Sequence, residues 1–187
     1  MCDDDWFEAD DDLNHDGRNE DERRFIITLR ARAQSWGELD IDVTDTQVWT
    51  DRDYIYVHVG ISDQEQNIEY GTMRVNYIGQ RVLGHWGSSH FCDEIDPTAL
   101  DAFSSPLLDS PEDAANYAAD WLESQLRRPA ERREWWQGDT VVCRRWLLTK
   151  PEHALCAQYC HPSRVAGLPG VVERIERIIP LRADRRR

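Results

Sequence analysis

Residues 54–61 read YIYVHVGI, and this stretch decides the fold class. Isoleucine and valine fill every second position, and tyrosine, histidine and glycine fill the positions between them. Both faces are therefore apolar or aromatic, which is typical of a central strand covered on both sides. Residues 68–77 predict a neighbouring strand, and residues 76–83 predict a turn at Gly79 followed by a short return strand.

Two segments that precede this stretch also favour strands. Residues 38–44 are predicted as a strand, and residues 23–34 alternate apolar with polar side chains. A helix through Phe25, Leu29 and Ala33 fits residues 23–34 nearly as well, but we expect the strand.

Helices are predicted after the strands. Ser110 followed by Pro111 is a helix N-cap with proline at the first helical position, and Pro129 stops this helix. The apolar side chains at helical spacing form its buried face: Ala115, Ala118, Leu122 and Leu126. An aspartate before a proline predicts a shorter helix over residues 96–103.

The last third of the chain predicts a hairpin and two more helices. Residues 132–136 and 140–148 are read as paired strands. Helices are expected over residues 152–159 and 171–179, the second ending at Pro180. Strands, helices, a hairpin and helices in this order predict an α+β fold with a mainly antiparallel sheet and helices packed on it.

Charge is divided unevenly along the chain. Residues 1–126 carry 29 Asp and Glu against 8 Arg, whereas residues 127–187 carry 7 acids against 13 Arg and 1 Lys. Residues 1–22 alone hold 11 acids and few large apolar side chains, chiefly Trp6, Phe7 and Leu13, which are too few to offset the entropy of ordering. We therefore expect an acidic flexible arm over residues 1–22, an α+β core domain over 23–150, and a helical C-terminal extension with a basic tail over 151–187.

The sequence also indicates the cellular compartment of the protein. No apolar run approaches the roughly 18 residues that a membrane span needs, and the acidic start MCDDDW is unlike a signal peptide. Five cysteines without a regular framework fit reduced thiols better than disulfides. We expect a soluble, cytoplasmic protein without a membrane partner.

One acidic segment resembles the first half of a calcium loop. Asp12, Asn14 and Asp16 place oxygens at alternate positions, and Gly17 follows where such a loop turns sharply. The bidentate Glu that should close the loop is replaced by Arg23. Calcium binding and a chance match within an acidic tail both stay open.

A second pattern is compatible with zinc. His153, Cys156 and Cys160 would lie on one face of a helix, and His90 with Cys92 could complete a tetrahedral site. The alternative is that these cysteines are small core residues. No cofactor is firmly predicted, and calcium and zinc are the two candidates.

The densest group of reactive side chains occupies residues 84–94, which include Ser, two His, Cys and two acids. No spacing there matches a motif with a known mechanism, so enzyme activity stays open with the balance against it.

The charge division leads to the main functional hypothesis. Dense carboxylates, including Asp10, Asp11 and Asp12, would engage a basic partner protein, as an immunity or inhibitor protein or a nucleic-acid mimic does. One alternative is a nucleic-acid-binding protein that uses the Arg- and Trp-rich hairpin of residues 127–146, with Arg133 and Arg144 as contacts. The other alternative is a metal-dependent enzyme or regulator that uses the His and Cys residues named above.

Overall fold

The structure is a computed structural model that describes residues 6–9, 18–39, 41, 43–50, 54–63, 65–87, 101–150, 152–159 and 161–178. Two sheets are formed within these ranges. The first contains, in spatial order, β1 (Glu8–Ala9), β2 (Thr46–Thr50), β3 (Ile55–Asp63), β4 (Ile68–Ile78), β5 (Arg81–Gly87) and β6 (Phe103–Ser104). The second contains, in spatial order, β10 (Val171–Ile178), β7 (Ala130–Gln137), β8 (Thr140–Thr149) and β9 (Glu152–Gln158). Together with α1 (Glu20–Ala33) and α2 (Pro111–Leu126), they confirm the α+β class and the mainly antiparallel pairing.

The centre of the first sheet confirms the strands predicted around residues 54–83. β3 pairs with β4, and β4 pairs with β5 after the turn at Gly79, which has a φ of 60°. Val57 and Val75 lie opposite each other and are fully buried in the core shared with the helices. The alternation read from the sequence therefore identified this part of the fold.

Helix α1 replaces the strand expected over residues 23–34. A capping box begins it: Asn19 Oδ1 accepts from the Glu22 N–H at 2.9 Å, and Glu22 Oε2 accepts from the Asn19 N–H at 3.0 Å. Phe25, Leu29 and Ala33 recur every four residues and are all fully buried. The helical period thus outweighs the weaker alternation, and the Asn-x-x-Glu cap was its missed sequence sign.

The strand expected over residues 38–44 is also wrong. Two short 3₁₀ helices, Trp36–Leu39 and Val43–Asp45, occupy this part of the chain, and β2 begins only at Thr46. Aspartate is depleted in strands, and residues 38–44 contain two of them together with a glutamate.

Helix α2 confirms the prediction for its segment. Ser110 Oγ accepts from the Asp113 N–H at 3.1 Å, and Ala115, Ala118 and Leu122 are fully buried. The shorter helix predicted over residues 96–103 lies mostly outside the described residues. Phe103, at its end, belongs to β6.

The two helices lie side by side and run in the same direction. Arg24 binds Glu112 through two hydrogen bonds of 2.7 and 2.8 Å, near the start of both helices. Eight residues further along both helices, Arg32 binds Asp120 at 2.8 Å and also Glu123 at 2.9 Å. Their N-termini therefore share one end of the helix layer.

The second sheet confirms the predicted hairpin as β7 and β8 and corrects the two helices expected after it. Residues 152–158 form β9 against β8, and residues 171–178 form β10 against β7. Valine and isoleucine in residues 171–178 fit a helical spacing, but charged residues between them fit an edge strand equally well. Pairing with β7 along all eight residues decides between the two. The described part of the extension over residues 151–187 is thus mostly β-strand, with one short 3₁₀ helix at Pro162–Arg164 between β9 and β10.

Part of the predicted flexible arm is packed into the core. Phe7 is fully buried, and its ring and that of Trp6 lie edge-on to Trp36 at 5.6 and 6.0 Å. The Phe7 N–H donates to Thr46 Oγ1 at 2.9 Å, and Arg30 donates to the Phe7 carbonyl at 3.0 Å. Residues 6–9 therefore belong to the folded part of the protein. The division of the chain into three segments stays a prediction.

Among the helices of the described ranges, none combines the length and the apolar character that crossing a membrane requires.

Candidate functional site

A cleft of about 470 Å³ opens where the second sheet meets the end of β3. We call it the arginine cleft, because Arg132 of β7 lies at its base and is almost completely buried. The side chains that line it come from the β3–β4 turn and three strands: Glu65, Gln66, Arg132, Glu134, Trp136, Arg144, Arg174, Ile175 and Glu176.

Four carboxylates surround the single guanidinium of Arg132. Asp63 accepts from it at 2.7 Å and Glu65 at 2.6 Å, Glu134 lies 3.3 Å from Nε, and Glu176 completes the set. Burial alone would lower the pKa of Arg132, but the hydrogen bonds to Asp63 and Glu65 hold it above its usual value. Arg132 is thus a permanently charged centre of the network.

Asp63 is the buried partner that connects the two sheets. Besides Arg132, it accepts from Trp146 Nε1 at 2.8 Å and from the Gln66 backbone N–H at 3.2 Å. Burial alone would raise the pKa of Asp63, but the hydrogen bonds from Arg132 and Trp146 outweigh it and lower that pKa. The Asp63 carboxylate therefore stays ionised inside the protein.

The outer part of the cleft is a layer of aromatic and charged side chains. Trp136 Nε1 donates to Glu134 at 3.0 Å, and Arg144 Nε donates to the other oxygen of Glu134 at 2.6 Å. The guanidinium of Arg174 lies over the Trp136 ring at 4.3 Å. Arg132, Arg144 and Arg174 thus face four carboxylates, and the positive charge of this region is balanced from within.

This arrangement bears on the residues predicted as nucleic-acid contacts. Arg144 is bound to Glu134, and Arg133 lies 3.1 Å from Glu152 and 3.4 Å from Glu131. Arg128 lies 2.6 Å from Asp101. Most of the basic character that the sequence shows in the hairpin is therefore paired with nearby acids, and nucleic-acid binding stays a prediction.

The other predicted site residues are mostly outside the described ranges. This applies to the acidic partner-binding and calcium residues and to most of the zinc set: Asp10, Asp11, Asp12, Asn14, Asp16, His90, Cys92 and Cys160. Cys156 lies on β9 rather than on the expected helix, and burial raises the pKa of its thiol. Within the described part of the chain, no three His, Cys, Asp or Glu side chains are placed to hold a metal ion.

A second polar cluster lies across the centre of the first sheet, and sequence analysis did not identify it. His58, Arg74 and His85 occupy directly paired positions on β3, β4 and β5, and all three are buried. Burial, followed by the charge of Arg74, lowers the pKa of His58 to about 4. Trp49 packs against His58 with ring centres 5.8 Å apart. The register of the strands, which single-strand patterns do not give, is what brings this row together.

Comparison with protein families, with curated proteins and with solved structures found no match for this chain.

Proposed function

We propose that this protein is a binding protein whose carboxylates engage a basic protein partner, with the shared N-terminal end of α1 and α2 as a contact surface. This acidic helix end consists of six acids and two arginines: Glu20, Asp21, Glu22, Asp109, Glu112, Asp113, Arg23 and Arg24. The observation that carries the proposal is the parallel arrangement of α1 and α2, because it brings the acidic first turns of both helices to one place.

The charge of this end remains negative after its own compensation is counted. Arg23, Arg24 and the neighbouring Arg18, which interacts with Glu22 through its charge, cancel three of the six acids. Two helix N-termini contribute roughly one further positive charge. About two negative charges are left on one small surface. The side chains of Glu20, Asp21, Asp109 and Asp113 are exposed to solvent, so a partner can reach them.

The same carboxylates influence a neighbouring buried group. Burial is the largest cause that raises the pKa of Tyr77, and Asp21, Glu22 and Glu112 raise it further through their charge. Tyr77 lies beneath this end, stacked on Phe25 with ring centres 4.3 Å apart. Its shift supports the view that carboxylates from both helices act together on one region.

A basic partner fits this surface better than a nucleic acid does. The protein has a net charge of −14, which repels phosphates and attracts Lys- and Arg-rich proteins over distances up to the Debye length. The paired state of Arg128, Arg133 and Arg144 supports the same choice. Asp10, Asp11 and Asp12, which precede α1 in the chain, would add to the field.

The test uses a fluorescent oligo-arginine peptide as the probe and follows its anisotropy at several salt concentrations. Asp21→Lys and Asp109→Lys each change the net charge by two at the acidic helix end. Asp139→Lys makes the same change in the exposed turn between β7 and β8 and is the matched control. We expect the two helix-end variants to weaken binding several-fold more than the control, mainly through slower association.

Equal weakening by all three variants would mean that only net charge matters, and the proposed surface would be wrong. A DNA duplex is the second probe. Tight DNA binding that Arg133→Ala with Arg144→Ala abolishes would support the nucleic-acid alternative instead.

A further inference from the structure

Strand β10 forms one edge of the second sheet. It pairs with β7 along its whole length, and no described strand lies on its other side. The side chains of Val172 and Ile175 are 59 % and 57 % exposed. A long, regular edge with exposed apolar side chains is a template for another strand.

The sequence of this strand is complementary to itself. Residues 172–178 read VERIERI, with Ile175 at the centre. When the segment is laid antiparallel to a second copy about Ile175, every arginine meets a glutamate and every aliphatic residue meets another aliphatic one. Opposite charges and aliphatic pairs directly across two strands stabilise antiparallel pairing.

We propose that two copies of this protein pair through β10 about a two-fold axis at Ile175, which joins their four-stranded sheets into one sheet of eight strands. Arg174 of each copy then lies opposite Glu176 of the other, and Glu173 lies opposite position 177, an arginine in the sequence. Ile175 meets Ile175, and Val172 lies opposite position 178, an isoleucine. The self-complementary surface is what a closed two-fold dimer requires.

The pattern selects one register. Sliding one copy along the other by one residue places Glu173 opposite Glu176, or Arg174 opposite position 177, and both are like-charged pairs. Sliding it by two residues moves the two-fold axis to Arg174 or to Glu176, so that this residue lies opposite the same residue of the other copy. Because like charges directly opposite each other destabilise strand pairing, these neighbouring registers are disfavoured.

The other edge of the same sheet offers no such pattern. Strand β9 reads EHALCAQ and contains one acid and no arginine or lysine. The choice of β10 therefore rests on its sequence as well as on its exposure.

The test compares dimerisation of two complementary variants by analytical ultracentrifugation over a range of protein concentrations. Glu173→Arg places arginine opposite arginine twice in a dimer, and Arg177→Glu places glutamate opposite glutamate twice. We expect the wild-type protein to dimerise and each variant to dimerise about tenfold more weakly or worse. An equimolar mixture of the two should recover the wild-type dimer, because each like pair becomes a Glu–Arg pair.

A cysteine placed at the axis tests the register directly. Residues directly opposite in antiparallel strands have Cα atoms about 4.5–5.5 Å apart, within reach of a disulfide. Ile175→Cys should therefore form a covalent dimer on mild oxidation, whereas Val172→Cys, which lies opposite position 178, should give no more than the wild-type background. A wild-type protein that stays monomeric at the highest concentration, or equal cross-linking of both variants, would overturn the proposal.

Discussion

The contact between Asp63 and Arg132 yields the sharpest stability prediction. Asp63→Ala removes the acceptor of three hydrogen bonds and leaves the buried Arg132 guanidinium and the Trp146 indole N–H without this partner. Breaking a buried ion pair from one side costs about 3–5 kcal/mol, since the remaining charge stays desolvated. For a chain of this size that corresponds to a melting temperature roughly 6–20 °C lower.

Urea unfolding followed by circular dichroism measures this loss without relying on Trp146 fluorescence. Glu65→Ala is the matched control, because it removes a carboxylate from the same guanidinium, but one whose side chain is 65 % exposed. We expect the control to cost about 1 kcal/mol or less. If Asp63→Ala costs no more than Glu65→Ala, the buried network does not stabilise the junction of the sheets.

Three further outcomes are expected. Leu122→Ala should cost about 2–5 kcal/mol in urea unfolding, because the Leu122 side chain is fully buried in the hydrophobic core; a loss near zero would contradict this packing. Phe7→Ala should lower the free energy of unfolding by about 3–5 kcal/mol, and an unchanged value would favour the flexible arm predicted over residues 1–22. The pKa of His58 is about 4 in the folded protein, against an ordinary value of 6.5. Between these two pH values the unfolded state binds a proton that the folded state does not, so the free energy of unfolding should fall as the pH drops from 7 to 4. His58→Gln should remove about 3 kcal/mol of that fall, and a pH profile identical to the wild type would refute the neutral His58.

Local patterns predicted much of the first sheet and all of α2. The alternation in residues 54–61 and the Ser110–Pro111 cap act within a few residues, so the sequence carries them directly. Residues 171–178 show the limit, because their apolar spacing suits both a helix and an edge strand until β7 lies beside them.

The candidate sites were harder to predict for a related reason. Arg132 lies within the predicted basic hairpin of residues 127–146, but its partners Asp63, Glu65 and Glu176 come from distant parts of the chain. The row of His58, Arg74 and His85 depends on the register of three strands. Sequence spacing describes a residue's own element, whereas these clusters are set by how the elements are assembled.

The wide separation of these partners along the chain also has a kinetic consequence. Arg132 is 69 positions from Asp63 and 44 from Glu176, and Trp146 is 83 positions from Asp63. Closing such long loops is slow, so this network should assemble after the helices and hairpins have formed. Contacts that are absent from the folding transition state slow unfolding without speeding folding. The contacts of the arginine cleft should therefore form late in folding. They should lower the unfolding rate, and so prolong the lifetime of the native state, more than they raise the folding rate.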